Sequence, residues 1–184
     1  EVLAFAKEVG CDPVNIVFDR GGGGKEHADR LRAQGHRVTT VAFGESLPLE
    51  PRHGEIPLLL RRELKEERYG YVNRRAQMYH EAALLIEGAH ESFGVFSLRD
   101  WDEPHEELRR QLSVMPKLLD DEGRYWMLPK NKVSRERGGV DDSSRVRTLV
   151  KLIGHSPDEA DAFVLACHRM LHKARRVQAG AIVF

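Results

Sequence analysis

The stretch from Val14 to Lys25, VNIVFDRGGGGK, constrains this chain more than any other. Val14 to Phe18 are mostly apolar and β-branched, which predicts a buried strand. The strand ends on Asp19, four glycines follow at positions 21–24, and a polar, amphipathic helix is expected from Lys25 to about Gln34. A strand running directly into a helix predicts a parallel strand of an α/β sheet. In such sheets ligands and reacting groups gather at the carboxyl ends of the strands, where Asp19 sits. Gly21, Gly22 and Gly23, with Lys25 after them, leave backbone room for a bulky anion such as a phosphate. The same residues also suit a helix-entry loop capped by Asp19, and both readings stay open on this stretch alone.

A chain of 184 residues is long enough for one domain with an adequate core, and a single domain over 1–184 is expected. No apolar run approaches the ~20 residues of a membrane span. Glu1 is not a natural start, and a helix pattern opens the chain, so a piece of a longer protein is expected. The two cysteines, Cys11 and Cys167, lack metal-ligand spacing and point to a reducing compartment, with Cys167 in a core helix. The net charge of zero hides an asymmetry. Residues 1–123 carry 17 basic and 23 acidic side chains, whereas residues 124–184 carry 12 basic and 6 acidic ones. A basic half suits a nucleic-acid face, and equally an ordinary solvated surface.

In chain order, the spacing predicts a helix over Glu1–Val9, a turn at Cys11–Pro13, the strand and glycine loop, and a second strand over Arg37–Phe43. Gly35 is the expected C-cap of the intervening helix. Residues 45–70 and 134–144 read as mobile stretches. Helices are expected over Tyr71–Ile86, with Asn73 as N-cap, and over Glu103–Ser113, with Pro104 in its first turn. Phe93–Leu98 is a short apolar run, and Leu118–Lys132 reads as strand, turn and strand. Arg145–Ile153 is a short helix or link. The last helix is expected over Ser156 to about Val177, opened by a capping box of Ser156 and Glu159 with Pro157 at the first helical position.

Asp158 and Asp161 fall three apart in the first turns of that helix, which puts both carboxylates on one face. Acidic residues there also suit the helix dipole, which explains Asp158 without any function. Asp161 sits among Ala160, Ala162, Phe163 and Val164, so its carboxylate is expected to be buried and to need a partner, a cation or a metal. Asp19 together with Asp158 and Asp161 would make an oxygen-rich site suited to Mg²⁺ or Mn²⁺.

These segments, with Asn73-Arg74-Arg75-Ala76, Glu107-Leu108-Arg109-Arg110-Gln111-Leu112, Leu128-Pro129-Lys130 and Ser156-Pro157-Asp158-Glu159-Ala160-Asp161-Ala162, occur in an order that resembles a known family. The chain resembles the C-terminal nuclease domain of the large terminase subunit of tailed bacteriophages over most of its length. The resemblance implies an α/β, RNase H-like fold with a mixed sheet flanked by helices. It implies metal-dependent endonuclease activity, in which two Mg²⁺ or Mn²⁺ ions serve hydrolysis of phosphodiesters in concatemeric double-stranded DNA. Asp19, Asp158 and Asp161 would be the catalytic metal ligands, with His155 near the metals or the scissile phosphate. The family's first catalytic aspartate lies on a strand upstream of the first helix here. That strand and the two that normally follow it are absent, so an incomplete sheet and metal site are expected. Asp12, in a turn, does not replace the missing aspartate. By the same resemblance the partners are DNA, an ATPase motor domain in the same polypeptide, the small terminase subunit and the portal, in the host cytoplasm.

Lys130, Lys132, Arg135, Arg137, Arg145 and Arg147 lie between the hairpin and the acidic helix and would flank DNA phosphates. Arg169, Lys173, Arg175 and Arg176 read as the basic end of a helix. A nucleotide-binding module fits poorly, because Glu26 stands where a P-loop needs Ser or Thr. A junction-resolvase-like nuclease and a non-catalytic DNA-binding or assembly domain remain as alternatives.

Overall fold

The computed structural model describes residues 1–47, 70–89, 105–121, 123–131 and 147–179, with side chains described as far as His172. Expectations for Phe93–Leu98, for residues 134–144 and for Leu58–Arg68 lie outside the described residues, as do Lys132, Arg135, Arg137 and Arg145.

Helix α1 covers Val2–Glu8, and a 3-10 turn follows at Pro13–Asn15, capped by the Asp12 carboxylate, which accepts the Val14 N–H at 2.9 Å. This turn absorbs Val14 and Asn15, so strand β1 is only Val17–Asp19 and is half-buried rather than buried. Helix α2, Gly24–Ala33, ends in a Schellman motif: Gly35 has φ +86°, its N–H reaches Arg32 O, and His36 N–H reaches Leu31 O. Strand β2, Thr39–Val41, pairs parallel with β1, with Asp19 opposite Val41. Strand β3 is Gly70–Tyr71, so Tyr71 lies in a strand and not at the start of the next helix. Helix α3, Arg74–Ile86, begins where Asn73 accepts the Ala76 N–H at 3.0 Å, as the cap signal predicts. Helix α4 is Glu106–Ser113. Strands β4, Leu118–Leu119, and β5, Arg124–Trp126, form the expected hairpin, and β5 also pairs parallel with β3. Helices α5, Leu149–Ile153, and α6, Asp158–Ala179, complete the order. The expected α/β class, with mixed strands flanked by helices, is the one observed. Among the described residues the strands form two ladders, β1-β2 and β3-β5-β4.

The core is the seam between α3 and α6. Met78, Ala82 and Leu85 pack with Ala160, Val164, Cys167 and Leu171, and Val41 of β2 joins them. Burial raises the Cys167 thiol to about 12, so this cysteine is an inert core residue. A smaller cluster of Leu128, Leu149 and Ile153 holds α5 to the hairpin. In contrast, only Ala6 of α1 is buried, and Phe5 is 64% exposed. Arg169 lies in the middle of α6 and not in its last turn. It donates from Nε and Nη2 to the Val14 carbonyl at 3.1 and 2.8 Å, which fastens α6 to the chain just before β1.

Candidate metal centre at the head of the last helix

The start of α6 is built by other elements. The expected capping box does not form: Ser156 Oγ donates to Asp158 Oδ1 at 2.6 Å, and Pro157 occupies the cap position, its carbonyl accepting the Asp161 N–H. The cap comes instead from Gln111 of α4, which is fully buried. Its Oε1 accepts the Ala160 N–H at 2.9 Å, and its Nε2 donates to Glu107 Oε1 and to Glu159. A buried amide with every partner satisfied fixes the angle between the helices.

Asp161 is 5% exposed, in agreement with its apolar sequence setting. Its Oδ1 accepts hydrogen bonds from Arg75 Nη2 at 2.9 Å and from the Tyr79 hydroxyl at 2.8 Å. Burial, then the Asp161 charge, pushes the Tyr79 hydroxyl above its ordinary range, so it remains a donor. Oδ2 is buried without a hydrogen bond, but the Lys130 ammonium lies 2.6 Å away in ion-pair contact. The same ammonium is 3.5 Å from Oδ1 of Asp158, which is largely exposed. The Ser156 hydroxyl, with Lys130, keeps Asp158 below the usual carboxylate range. The two carboxylates therefore share a face, as their spacing predicts, and converge on one cation position. Two carboxylate oxygens on one cation position, one of them buried and met there by the Lys130 ammonium, are the hard donors that a divalent ion would also take. Lys130 turns inward to these carboxylates, whereas the sequence reading aimed it at DNA.

Asp19 is linked to Asp161 only indirectly, through β2, with no direct contact to either of the other aspartates among the described hydrogen bonds and ion pairs. Its register partner Val41 lies two residues before Phe43, whose carbonyl accepts the Arg75 N–H at 3.0 Å. The Phe43 ring centroid is 5.7 Å from the Arg75 guanidinium that holds Asp161. Asp19 does not cap α2, since Gly23 is the N-cap. It accepts the Gly21 N–H at 3.1 Å and makes a local turn. The glycines have structural reasons of their own. Gly22 and Gly23 have φ of +56° and +86°, and a Cβ on Gly24 would lie 1.9 Å from the Asp19 carbonyl oxygen. Lys25 pairs with Asp29 at 2.8 Å.

His155 is fixed to α4. Its Nε2 is 2.9 Å from Glu107 Oε1 and 2.6 Å from Arg110 Nη2, and its Nδ1 is 2.7 Å from the Ser156 carbonyl. Hydrogen bonds from Arg110 and Gln111 hold Glu107 down at about 2. Arg147 is exposed. Arg75, Tyr79 and Gln111 were missed as site residues because their roles depend on contacts 49 to 86 residues away in sequence.

The fold is that of a nuclease domain already known from a bacterial virus. A manganese form of a lysine-to-alanine variant of the nuclease domain of the large terminase subunit gp2 of bacterial virus Sf6 is 18% identical, with a TM-score of 0.53 over 90% of this chain and 69% of that one. The nuclease domain of the same subunit is 20% identical, with a TM-score of 0.52 over 90% of this chain and 68% of that one. A calcium form of the variant gives 18%, 0.52, and the same coverage of 90% and 68%. At this identity the likeness is one of fold. No protein-family model matches the chain, and no curated protein does. Among the described residues no helix is long and apolar enough to cross a membrane.

Proposed function

We propose that this chain is the RNase H-like nuclease domain of a phage-type packaging terminase and cleaves double-stranded DNA with divalent metal ions. The observation that carries this reading is the convergence of Asp158 and Asp161 on one cation position at the head of α6. The fold shared with the Sf6 domain, whose manganese and calcium forms are known, supports it.

Asp158 and Asp161, with Asp19, would hold Mg²⁺ or Mn²⁺. Two such ions supply an activated water and neutralise the leaving oxygen. Arg75 and Tyr79 orient Asp161 through Oδ1, and Oδ2, which Lys130 meets at 2.6 Å, would be the oxygen that a metal ion takes in its place. Lys130 bridges the two carboxylates. The exposed backbone of Gly21, Gly22 and Gly23 gives a phosphate close access beside Asp19. Arg147, which is exposed, would contact DNA phosphates, while His155 braces the loop that leads into α6. A motor domain, the small terminase subunit and the portal belong to this reading as partners.

The test is nicking of supercoiled plasmid in Mn²⁺, by this chain and by a polypeptide extended with the upstream strand that the resemblance implies. Cleavage abolished by Asp158→Asn and by Asp19→Asn, with the fold intact, supports the assignment. Unchanged cleavage by both variants removes it. One observation favours a second reading, a DNA-binding or assembly domain without cleavage: Arg75 and Lys130 already neutralise Asp161. DNA retention without metal-dependent nicking by either polypeptide would favour that reading.

A further inference from the structure

Two turns beyond Asp161, the same stripe of α6 carries His168 and His172, four residues apart and facing α3. Opposite them, on α3 itself, stands Glu81. Its Oε2 is 3.3 Å from His168 Nδ1 and 3.3 Å from His172 Nε2, and the three atoms all lie within 4.8 Å of one another. Charge-assisted hydrogen bonds close to about 2.7–2.9 Å, so these contacts are wide for ion pairs. The two edges at Glu81 fit another geometry. With metal–ligand bonds of about 2.0–2.1 Å, the atoms of a tetrahedral shell lie about 3.3 Å apart.

The surroundings are arranged as such a shell requires. Gln77 Nε2 donates to Glu81 Oε1 at 2.8 Å, and Arg74 Nη1 donates to Gln77 Oε1 at 2.8 Å, so Oε2 is turned toward the imidazoles. Glu81 and His168 are buried, whereas the His172 side chain is 30% exposed and opens the cluster to solvent.

We propose that Glu81, His168 and His172 form a second metal site, distinct from the carboxylates of Asp158 and Asp161, that takes Zn²⁺ or a similar borderline divalent ion. Two imidazoles and one carboxylate select such an ion over Mg²⁺. Water entering beside His172 supplies the fourth ligand, and the ion ties α3 to α6 behind Arg75 and Asp161.

The test is titration of the full chain with Co²⁺, which reports four-coordinate binding by visible absorption. One equivalent is expected to give these bands, Zn²⁺ to abolish them and Mg²⁺ to leave them. His172→Gln, on the exposed edge, and Gln77→Ala should weaken binding, the former by about 100-fold and the latter by about tenfold. Asp158→Asn should leave the bands unchanged. X-ray absorption of the Co²⁺-loaded parent should count two imidazoles, without reliance on any variant. Absence of four-coordinate bands with excess Co²⁺, loss of the bands in Asp158→Asn, or a bound ion without imidazole ligands would each overturn the site.

Discussion

Arg75 and Asp161, 86 residues apart, meet through a 2.9 Å contact in which both side chains are about nine-tenths buried. Arg75 comes from the first turn of α3, and Asp161 from the first turn of α6. The guanidinium lies 5.7 Å from the Phe43 ring centroid and 5.5 Å from that of Tyr79. One ion pair thus joins the two core helices at the end of the molecule where β2 delivers its chain. Stranding a buried charge costs about 3–5 kcal/mol, but Lys130 still pairs with Asp161 when Arg75 is removed. Arg75→Ala is therefore expected to lose about 1–3 kcal/mol in urea unfolding, and Arg75→Lys to recover little of it, since lysine lacks the planar fork. A loss below about 1 kcal/mol would show that water already solvates the pair.

The glycine run contains positions of unequal demand. Gly24→Ala would drive a Cβ to 1.9 Å from a backbone carbonyl, whereas Gly22→Ala meets open space and only the strain of φ +56°. Gly22→Ala should cost about 1–2 kcal/mol, and Gly24→Ala more, because β1 and α2 must separate. Chemical denaturation of the two variants orders them. The reverse order would contradict the packing described for this loop.

Gln111 performs the task that Ser156 and Glu159 were expected to share. Gln111→Leu keeps much of the volume but strands the Ala160 N–H, an unpaired buried donor worth about 1–3 kcal/mol. Its stability should fall by that amount. Ser156→Ala should cost less, because Ser156 bonds to Asp158 and not to the helix backbone. Equal losses in the two variants would restore the capping box.

Acid should weaken the fold before the carboxylates titrate. Burial, then Lys117, lowers His80, whose Nδ1 lies 2.9 Å from the Tyr71 hydroxyl and whose ring stacks on Tyr125. Burial lowers His168 as well. A histidine lowered in the folded state binds its proton more readily when unfolded. Its contribution is complete above the ordinary value of 6.5 and is lost as pH falls from there through the lowered value. Glu81, held low, adds a further loss below its ordinary 4.5. The urea midpoint should decline between about pH 7.5 and pH 5, and His80→Asn should flatten part of that slope. A midpoint that rises over this range would contradict both assignments.

Much of this was readable in advance where a signal is local. Asn73 caps α3, Gly35 closes α2, and the Asp120–Gly123 turn joins β4 to β5 because each depends on residues within a few positions. The burial of Asp161 was readable from its apolar neighbours. Its partners were not, since Arg75 and Tyr79 look like ordinary helix residues until α3 packs on α6. Tertiary contacts also overrode two local expectations. Asp12 captured Val14 and shortened β1, and Gln111 drew Glu159 away from Ser156. The Glu81 cluster had one visible trace, His168 and His172 at helical i,i+4 spacing, but its third member lies on another helix.

The measurement closest to the central claim is Mn²⁺ binding followed by electron paramagnetic resonance on the chain and its Asp158→Asn, Asp161→Asn and Lys130→Ala variants. Each aspartate substitution is expected to weaken binding by about tenfold or more, and Lys130→Ala to tighten it by a similar factor through loss of a competing cation. If all three variants bind Mn²⁺ like the parent, with circular dichroism showing intact helices, the head of α6 is not a metal site.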